Sequence, residues 1–151
     1  MIKDLKIQKG IQIVKNNYLG RLAYMANNSP HIVPITYFYD EDSNSVISYS
    51  AEGHKIDSMR QHAPASIQVD EIDSLIQWRS VLIQGTYEEL GGSTAKFVLH
   101  KFAEGVKEVI QRTEDKKLHY IREFSSKLES EKPPVVFRIN VTGIISKYRD
   151  S

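Results

Sequence analysis

The chain contains no cysteine, so neither a disulfide nor a thiolate metal site can form. That absence fits a reducing compartment, and the expected location is the cytoplasm. No apolar run approaches the ~20 residues of a membrane-spanning helix. The stretch from Met1 to Gly10 lacks the apolar core of a secretory signal. An excess of one charge is missing too: 20 Lys and Arg stand against 19 Asp and Glu, for a net +1. A chain this close to neutral exerts no long-range pull on nucleic acid or anionic lipid. It also has no basic, aromatic-interleaved strand of the kind that holds single-stranded nucleic acid. Neither nucleic acid nor a membrane is therefore an expected partner. A phosphate ligand stays open, because two or three well-placed donors suffice for it. The Gly-rich turn of a dinucleotide fold and the P-loop are both absent.

No linker, repeat or low-complexity tract interrupts the 151 residues, so one domain over 1–151 is expected. A domain of this size buries roughly 68–70% of the surface its unfolded chain exposes, enough for a core without staples. Lys3 to Asn16 has helical spacing, with Ile7, Ile11 and Val14 as the apolar stripe and Gly10 weakening it. Leu19–Met25 and His31–Tyr39 are rich in β-forming residues, with Asn27-Asn28-Ser29-Pro30 as the turn between them. Pro34 cannot donate to a ladder, so its strand is an edge or borders an opening. Val46–Ser50 is a third strand and Gly53–Gln61 a short helix with Ile56 and Met59 inward. Ala65–Asp70 and Trp78–Glu89 are two more strands. Ser93 is a candidate helix cap, with Val98, Phe102, Val106, Val109 and Ile110 on the apolar face of the following helix. Thr113 is a second candidate cap, with Leu118, Ile121, Phe124 and Leu128 inward. Val135, Phe137, Ile139 and Val141 alternate as the last strand. Six strands with inserted helices and no βαβ alternation predict a mainly β fold, a small antiparallel barrel.

The chemically informative stretch runs from Ile47 to Met59. A strand ends at Ser48, Tyr49 and Ser50; Gly53 follows; His54 and Lys55 then sit on the first turn of a helix. A phosphate is held by such a set: hydroxyl and main-chain donors, the positive end of a helix, and a Lys as point charge. The plainer alternative is a helix start whose His and Lys are merely solvated. His62, His100 and His119 show no metal-ligand spacing.

Leu19-Gly-Arg-Leu-Ala, His31-Ile-Val-Pro-Ile-Thr-Tyr, Tyr49-Ser-Ala-Glu-Gly-His-Lys-Ile-Asp and Trp78-Arg-Ser-Val-Leu-Ile-Gln-Gly follow one another in an order that resembles the pyridoxamine 5′-phosphate oxidase-like, FMN-binding split-barrel superfamily, closest to its nitroimidazole-resistance branch. The resemblance covers about the first two thirds of the chain. It implies a six-stranded split barrel, a homodimer, and FMN in the clefts between subunits. Carried over residue by residue, main-chain groups of Pro34, Ile35 and Thr36 would line the isoalloxazine. Ser50, His54 and Lys55 would hold the phosphate, Ser48 and Tyr49 would flank the ribityl chain, and Ser80 would reach the flavin or its tail. As plain structure, Thr36 and Ser80 would be outward strand residues, and Tyr49 and Trp78 core or interface aromatics. Two departures stand out. Tyr49 occupies the place where many nitroimidazole-resistance relatives have a His, which puts nitroimidazole reduction in question. The tail from Arg138 to Arg149 has no Trp, which argues against pyridoxamine oxidase activity proper.

The resulting expectation is an FMN-dependent oxidoreductase acting on a small molecule, with NADH or NADPH as the candidate reductant and no metal. The alternatives are a non-enzymatic flavin-binding module and a haem-binding or haem-degrading split barrel.

Overall fold

The computed structural model describes residues 1–113 and 133–151. The elements run β1 (Lys3–Asp4), α1 (Ile7–Lys15), β2 (Leu19–Ala26), β3 (Ser29–Thr36), β4 (Phe38–Asp40), β5 (Ser45–Ser50), α2 (His54–Gln61), β6 (Pro64–Ser74), β7 (Gln77–Leu90), α3 (Gly92–Thr113) and β8 (Val135–Arg149). The helix expected after Thr113, with Leu118, Ile121, Phe124 and Leu128, lies outside the described residues. So does His119.

All strands belong to one antiparallel sheet in the order β3-β2-β6-β7-β8-β5-β4, with β1 added against β8. The mainly β barrel class holds, but among the described residues the strands number eight rather than six. One addition is the short β1. The other arises because the expected strand His31–Tyr39 breaks at Tyr37 into β3 and β4. β3 and β4 are opposite edges of the sheet, yet Tyr37 alone separates them in the chain. The sheet must therefore roll until its edges meet. Tyr37 is almost wholly buried at that seam; its amide donates to the Tyr18 carbonyl at 2.9 Å and its hydroxyl to the Val14 carbonyl at 2.7 Å. Burial, with the Glu71 charge second, pushes its phenol pKa far up, so the group remains a neutral donor.

The β2–β3 hairpin turns on Asn27 and Asn28, both with positive φ (53° and 62°). These are the two left-handed residues that a type I′ hairpin turn needs, and Asn tolerates them. The two-residue loop pairs Ala26 with Ser29, Tyr24 with His31 and Leu22 with Val33. Alternation then sends Leu22 and Tyr24 inward. The barrel interior is filled by Leu22, Val46, Ile67, Val69, Val81, Ile83, Phe137 and Ile139 among others. A second cluster lies between α3 and the sheet, where Val98, Phe102, Val106 and Ile110 cover Ile47 and Val136.

Two helix expectations change. The buried face of α1 is Gly10, Ile13 and Val14, while Ile7 is exposed. Gly10 is there because a side chain would collide with Ser146 on β8; close approach outweighs its helix penalty. α3 begins at Gly92, so Ser93 lies inside the first turn, and the Gly91 carbonyl accepts the amide of Ala95. The aromatic run Tyr37, Phe38 and Tyr39 meets apolar neighbours on both faces within one chain: Tyr37 and Tyr39 enter the barrel interior, and Phe38 packs on the α3 cluster.

Phe38 fits because residue 105 has no side chain; a Cβ at Gly105 would overlap the Phe38 ring. Gly105→Ala should therefore destabilise the fold by about 1–3 kcal/mol, the usual cost of overpacking, although Ala is the better helix former. A urea midpoint equal to or above that of the parent would show that Phe38 yields without cost.

Asp40, buried at the end of β4, binds Lys101 of α3 at 2.7 Å and accepts from Ser43 at 2.7 Å. Burial alone would raise its pKa, but the hydrogen bonds from Lys101 and Ser43 outweigh that and hold the carboxyl below its ordinary value. A depressed folded pKa contributes stability above the unfolded value, and that stability is lost as pH falls through the folded one. The parent should thus lose stability on acidification below about pH 4. Lys101→Met should cost about 1.5–3 kcal/mol at pH 7 and flatten the acid loss. Urea midpoints at pH 7 and pH 3 check both; an unchanged midpoint at pH 7 would make the pair a surface ornament.

Candidate functional site

β5 ends and α2 begins over the open edge of the barrel. Ser50 is half-buried, and its hydroxyl donates to the Ala51 carbonyl at 2.9 Å. Gly53 precedes α2 in extended backbone, and nothing lies within 4 Å of where its Cβ would be. No side chain among the described residues caps α2, so its first amides keep their unmet donors there, at the positive end of the helix dipole. Lys55 is half-buried and has no ion-pair partner among the described residues. Ser50, His54 and Lys55, expected to hold a phosphate, thus flank the β5–α2 junction, Ser50 as the last residue of β5 and His54 and Lys55 as the first two of α2.

His54 has neighbours that the sequence reading missed. The Tyr24 hydroxyl lies 2.9 Å from its Nδ1. His31 stacks on Tyr24 with ring centroids 5.4 Å apart and lies 5.0 Å from the His54 ring. Tyr24 is buried, so its hydroxyl is a fixed partner that orients the exposed imidazole. The signal was present in the turn: two residues of loop at Asn27-Asn28 set Tyr24 opposite His31.

Among the described residues β3 pairs with β2 alone, so half of its main-chain groups are left unpaired by the sheet. Pro34 is exposed, Ile35 is buried and Thr36 is half-buried. The edge position expected from Pro34 is the one observed. From His31, beside His54, to Thr36 the strand spans about 16 Å at ~3.3 Å per residue.

Three of the nominated residues are placed differently from the sequence reading. Ser48 is buried, and its hydroxyl donates to the Thr36 carbonyl at 2.7 Å. It ties β5 to the end of β3. Tyr49 points to the opposite face of β5, edge-on to Phe102 of α3 at 5.3 Å; burial raises its pKa. Tyr49 is thus a packing residue, as alternation requires when Ser48 and Ser50 face the other way. Ser80 lies on β7, with β2 and β6 between it and β3. Its hydroxyl accepts from Gln68 at 3.0 Å, and Gln68 belongs to an outer-face patch with Arg21 and Asp70, the latter pair at 3.1 Å. Within one chain Ser80 is remote from the α2 turn.

The described residues enclose, among others, cavities of about 780 and 330 Å³. None of the nine nominated residues lines either. The α2 turn and the β3 edge form an open surface. The sheet face beside it, set by the pairings of Leu19 with Thr36, Ala23 with Ile32, Arg21 with Gln68 and Leu82 with Ile145, leaves Leu19, Met25, Ile32 and Ile145 between 40% and 67% exposed.

Comparison with known proteins gives one curated relative, an uncharacterised protein of Rhizobium meliloti (strain 1021), 41% identical over 78 residues. That match covers 52% of this chain and 50% of the relative, so the chain accounts for about half of the relative's length. Among solved structures, an FAD-binding protein of Mesorhizobium loti superposes with a TM-score of 0.76 at 24% identity, covering 100% of this chain and 98% of that one. A Bacteroides thetaiotaomicron protein provisionally assigned to 5-nitroimidazole antibiotic resistance gives 0.63 at 14% identity, covering 98% and 89%. At these identities the structures speak for the fold. The family model described as pyridoxamine 5′-phosphate oxidase matches residues 9–130, most of the chain and all of the β5–α2 turn and β3 edge, and the chain belongs to that family.

Proposed function

We propose that this protein binds a flavin, FMN by preference, along the open edge of β3, and that two copies pair to close the groove. The carrying observation is the α2 turn: uncapped amides, an unobstructed Gly53, and Lys55 without an ion-pair partner among the described residues. This donor set suits a phosphate monoester. The FAD-binding neighbour from Mesorhizobium loti supports a flavin as the ligand class. The single compact anion point, without a Gly-rich pyrophosphate turn, favours FMN within that class.

Bound flavin would supply hydride or single-electron chemistry. The chain's own residues bind and orient. Lys55 and the first amides of α2 hold the phosphate. Tyr24 fixes the ring of His54, so that Nε2 is the nitrogen left to face the anion. Ser48 fixes the Thr36 carbonyl at the other end of the strand. Pro34 offers no amide, so this edge presents carbonyls around it more than donors. None of the nominated residues is an obligatory acid or base. The simplest reaction is therefore a relay of hydride or electrons between a reductant such as NADH or NADPH and a small acceptor.

Flavin released from the purified protein by denaturation and identified by chromatography should be FMN. Lys55→Ala should weaken its binding by about 1.5–3 kcal/mol, the scale of a hydrogen bond to a charged group, with the melting point of the flavin-free protein unchanged. Recovery of FAD alone would move the ligand to the dinucleotide. A Soret band in place of flavin absorbance would move it to haem. Unchanged flavin affinity in the variant would return Lys55 to the solvent.

Pairing is proposed from the exposed apolar set Leu19, Met25, Ile32 and Ile145. Large apolar side chains exposed on one sheet face suit an interface, and a twofold contact that uses this face on both copies would also cover the β3 edge. It would bring the partner copy to a site that one chain leaves open. A ligand held between subunits stabilises their association by mass action. Light scattering after size exclusion should give a dimer mass, with tighter association when FMN is added. A monomer at micromolar concentration with flavin bound would remove the seam.

A further inference from the structure

Glu52, Asp57, Glu89 and Arg60 meet along α2, and Arg60 is their hub. Its two terminal nitrogens grip Glu52 in a fork, at 2.8 and 2.9 Å. Its Nε and one terminal nitrogen donate to Glu89, near the end of β7, at 2.7 and 2.9 Å. Asp57, on the same helix, lies 3.6 Å away. Glu89 is itself fixed, because the hydroxyl of the buried Tyr87 donates to it at 2.8 Å. A chain of hydrogen bonds thus runs from the barrel wall through Glu89 and Arg60 to Glu52. Bidentate pairs of this kind hold geometry better than ordinary surface ion pairs. The bond from Arg60 also keeps the Glu52 carboxyl below its ordinary pKa, so Glu52 is an anion at neutral pH.

That anion stands beside a place suited to a different one. Glu52 directly precedes Gly53, the cap position of α2, and no side chain among the described residues caps the amides that follow. A carboxylate at a helix N-terminus is favoured by just such amides and by the helix dipole. Lys55 offers a second attraction, since Glu52 stands shortly before it and Asp57 shortly after it. Yet Lys55 has no ion-pair partner among the described residues, and Glu52, Asp57 and Glu89 all pair with Arg60. Arg60 lies in the last turn of α2, about 9 Å along the helix axis from His54 at 1.5 Å per residue. Its fork therefore draws the Glu52 side chain along the helix and away from the bare amides. It also offsets the repulsion that carboxylates so close would exert on an incoming phosphate.

From this we infer that Arg60 is the positioning residue of the phosphate site: by holding Glu52 on a fork tied to Glu89, it keeps an internal carboxylate off the α2 amides and off Lys55, and leaves both free for the ligand. The inference rests on the reading that a phosphate lies at the start of α2. It gives Arg60 no contact with that phosphate.

The test titrates the flavin-free, full-length protein with FMN and with riboflavin, following the flavin fluorescence. Arg60→Met should raise the Kd for FMN by about tenfold, the scale of a released charge at a helix terminus. Riboflavin, which lacks the phosphate, should bind parent and variant alike. Glu52→Gln added to Arg60→Met should recover most of the loss, because the amide carries no charge to compete. Arg60→Lys keeps the charge and gives up the fork. It should show the same pattern at smaller size, and it carries the test if the Met variant does not fold. An unchanged Kd for FMN in both Arg60 variants would overturn the inference. So would a loss that Glu52→Gln does not recover, or an equal loss for riboflavin, since either would make Arg60 a tether of α2 and nothing more. A parent that binds no flavin, or binds riboflavin as tightly as FMN, would remove the phosphate site itself. A parent that prefers FMN, with variants that behave as broken tethers, removes this inference alone.

Discussion

The structure depends on one joint. β3 and β4 are opposite edges of the sheet, and only Tyr37 lies between them. An open twisted sheet of this many strands could otherwise remain a slab with two free edges. A single residue cannot bridge such a slab, so the sheet closes on itself. Tyr37, almost completely buried, holds the joint by two hydrogen bonds, one from its amide to the Tyr18 carbonyl and one from its phenol to the Val14 carbonyl. The α1 helix is fixed by the same joint, since Val14 is its penultimate residue and supplies the acceptor. The cavity of about 780 Å³ is lined in part by Ile13 of that same last turn, so the joint that closes the barrel also positions one wall of the cavity.

Closure by a covalent joint differs from closure by a hydrogen-bonded ladder. A ladder would saturate both edges. Here β3 retains a free edge, and Ser48 compensates locally by binding the Thr36 carbonyl. What remains open is a stretch of about 16 Å of main chain that ends at the rings of His31, Tyr24 and His54. An exposed edge of this length invites pairing with another chain unless something covers it. Pro34 blunts it, and a ligand lying along it would do so further. The same architectural feature thus yields both the hazard and the candidate site.

Much of this was legible in the residues. Pro34 announced an edge strand because it cannot donate. Ile56 and Met59 announced the inner face of α2, and the Gly53-His54-Lys55 run announced its bare start. What stayed hidden was long-range. The break at Tyr37 follows from the need to change edges, which nothing in the β-rich run His31–Tyr39 discloses. Gly10 reads as a weak point of a helix until β8 is seen to pass against it. Ser48 and Tyr49 look like equal candidates in sequence. They differ because a strand sends neighbours to opposite faces, and only the position of α3 tells which face is the barrel. The Tyr24–His31 pairing was accessible in principle, since a two-residue Asn-Asn turn fixes register, but it required treating the turn as a ruler.

The outer face shows why pairing of two copies is compatible with its charges. Leu19, Met25, Ile32 and Ile145 surround Arg21, Gln68, Asp70 and Ser80, and an interface that buried a lone Arg would lose more by desolvation than it gained in apolar area. Arg21 is not alone. It holds Asp70 at 3.1 Å, and Gln68 links Arg21 to Ser80. Every member of the patch has its partner inside its own protomer, so covering the patch leaves no charge unmatched. Such an arrangement also limits what can dock: a flat apolar partner would strip water from these groups and offer no hydrogen bonds in return, whereas a second copy paired through this face would present the same polar island. The pattern of paired polar groups within an apolar rim is thus an argument for a specific symmetric contact, and it holds whatever ligand lies beside it.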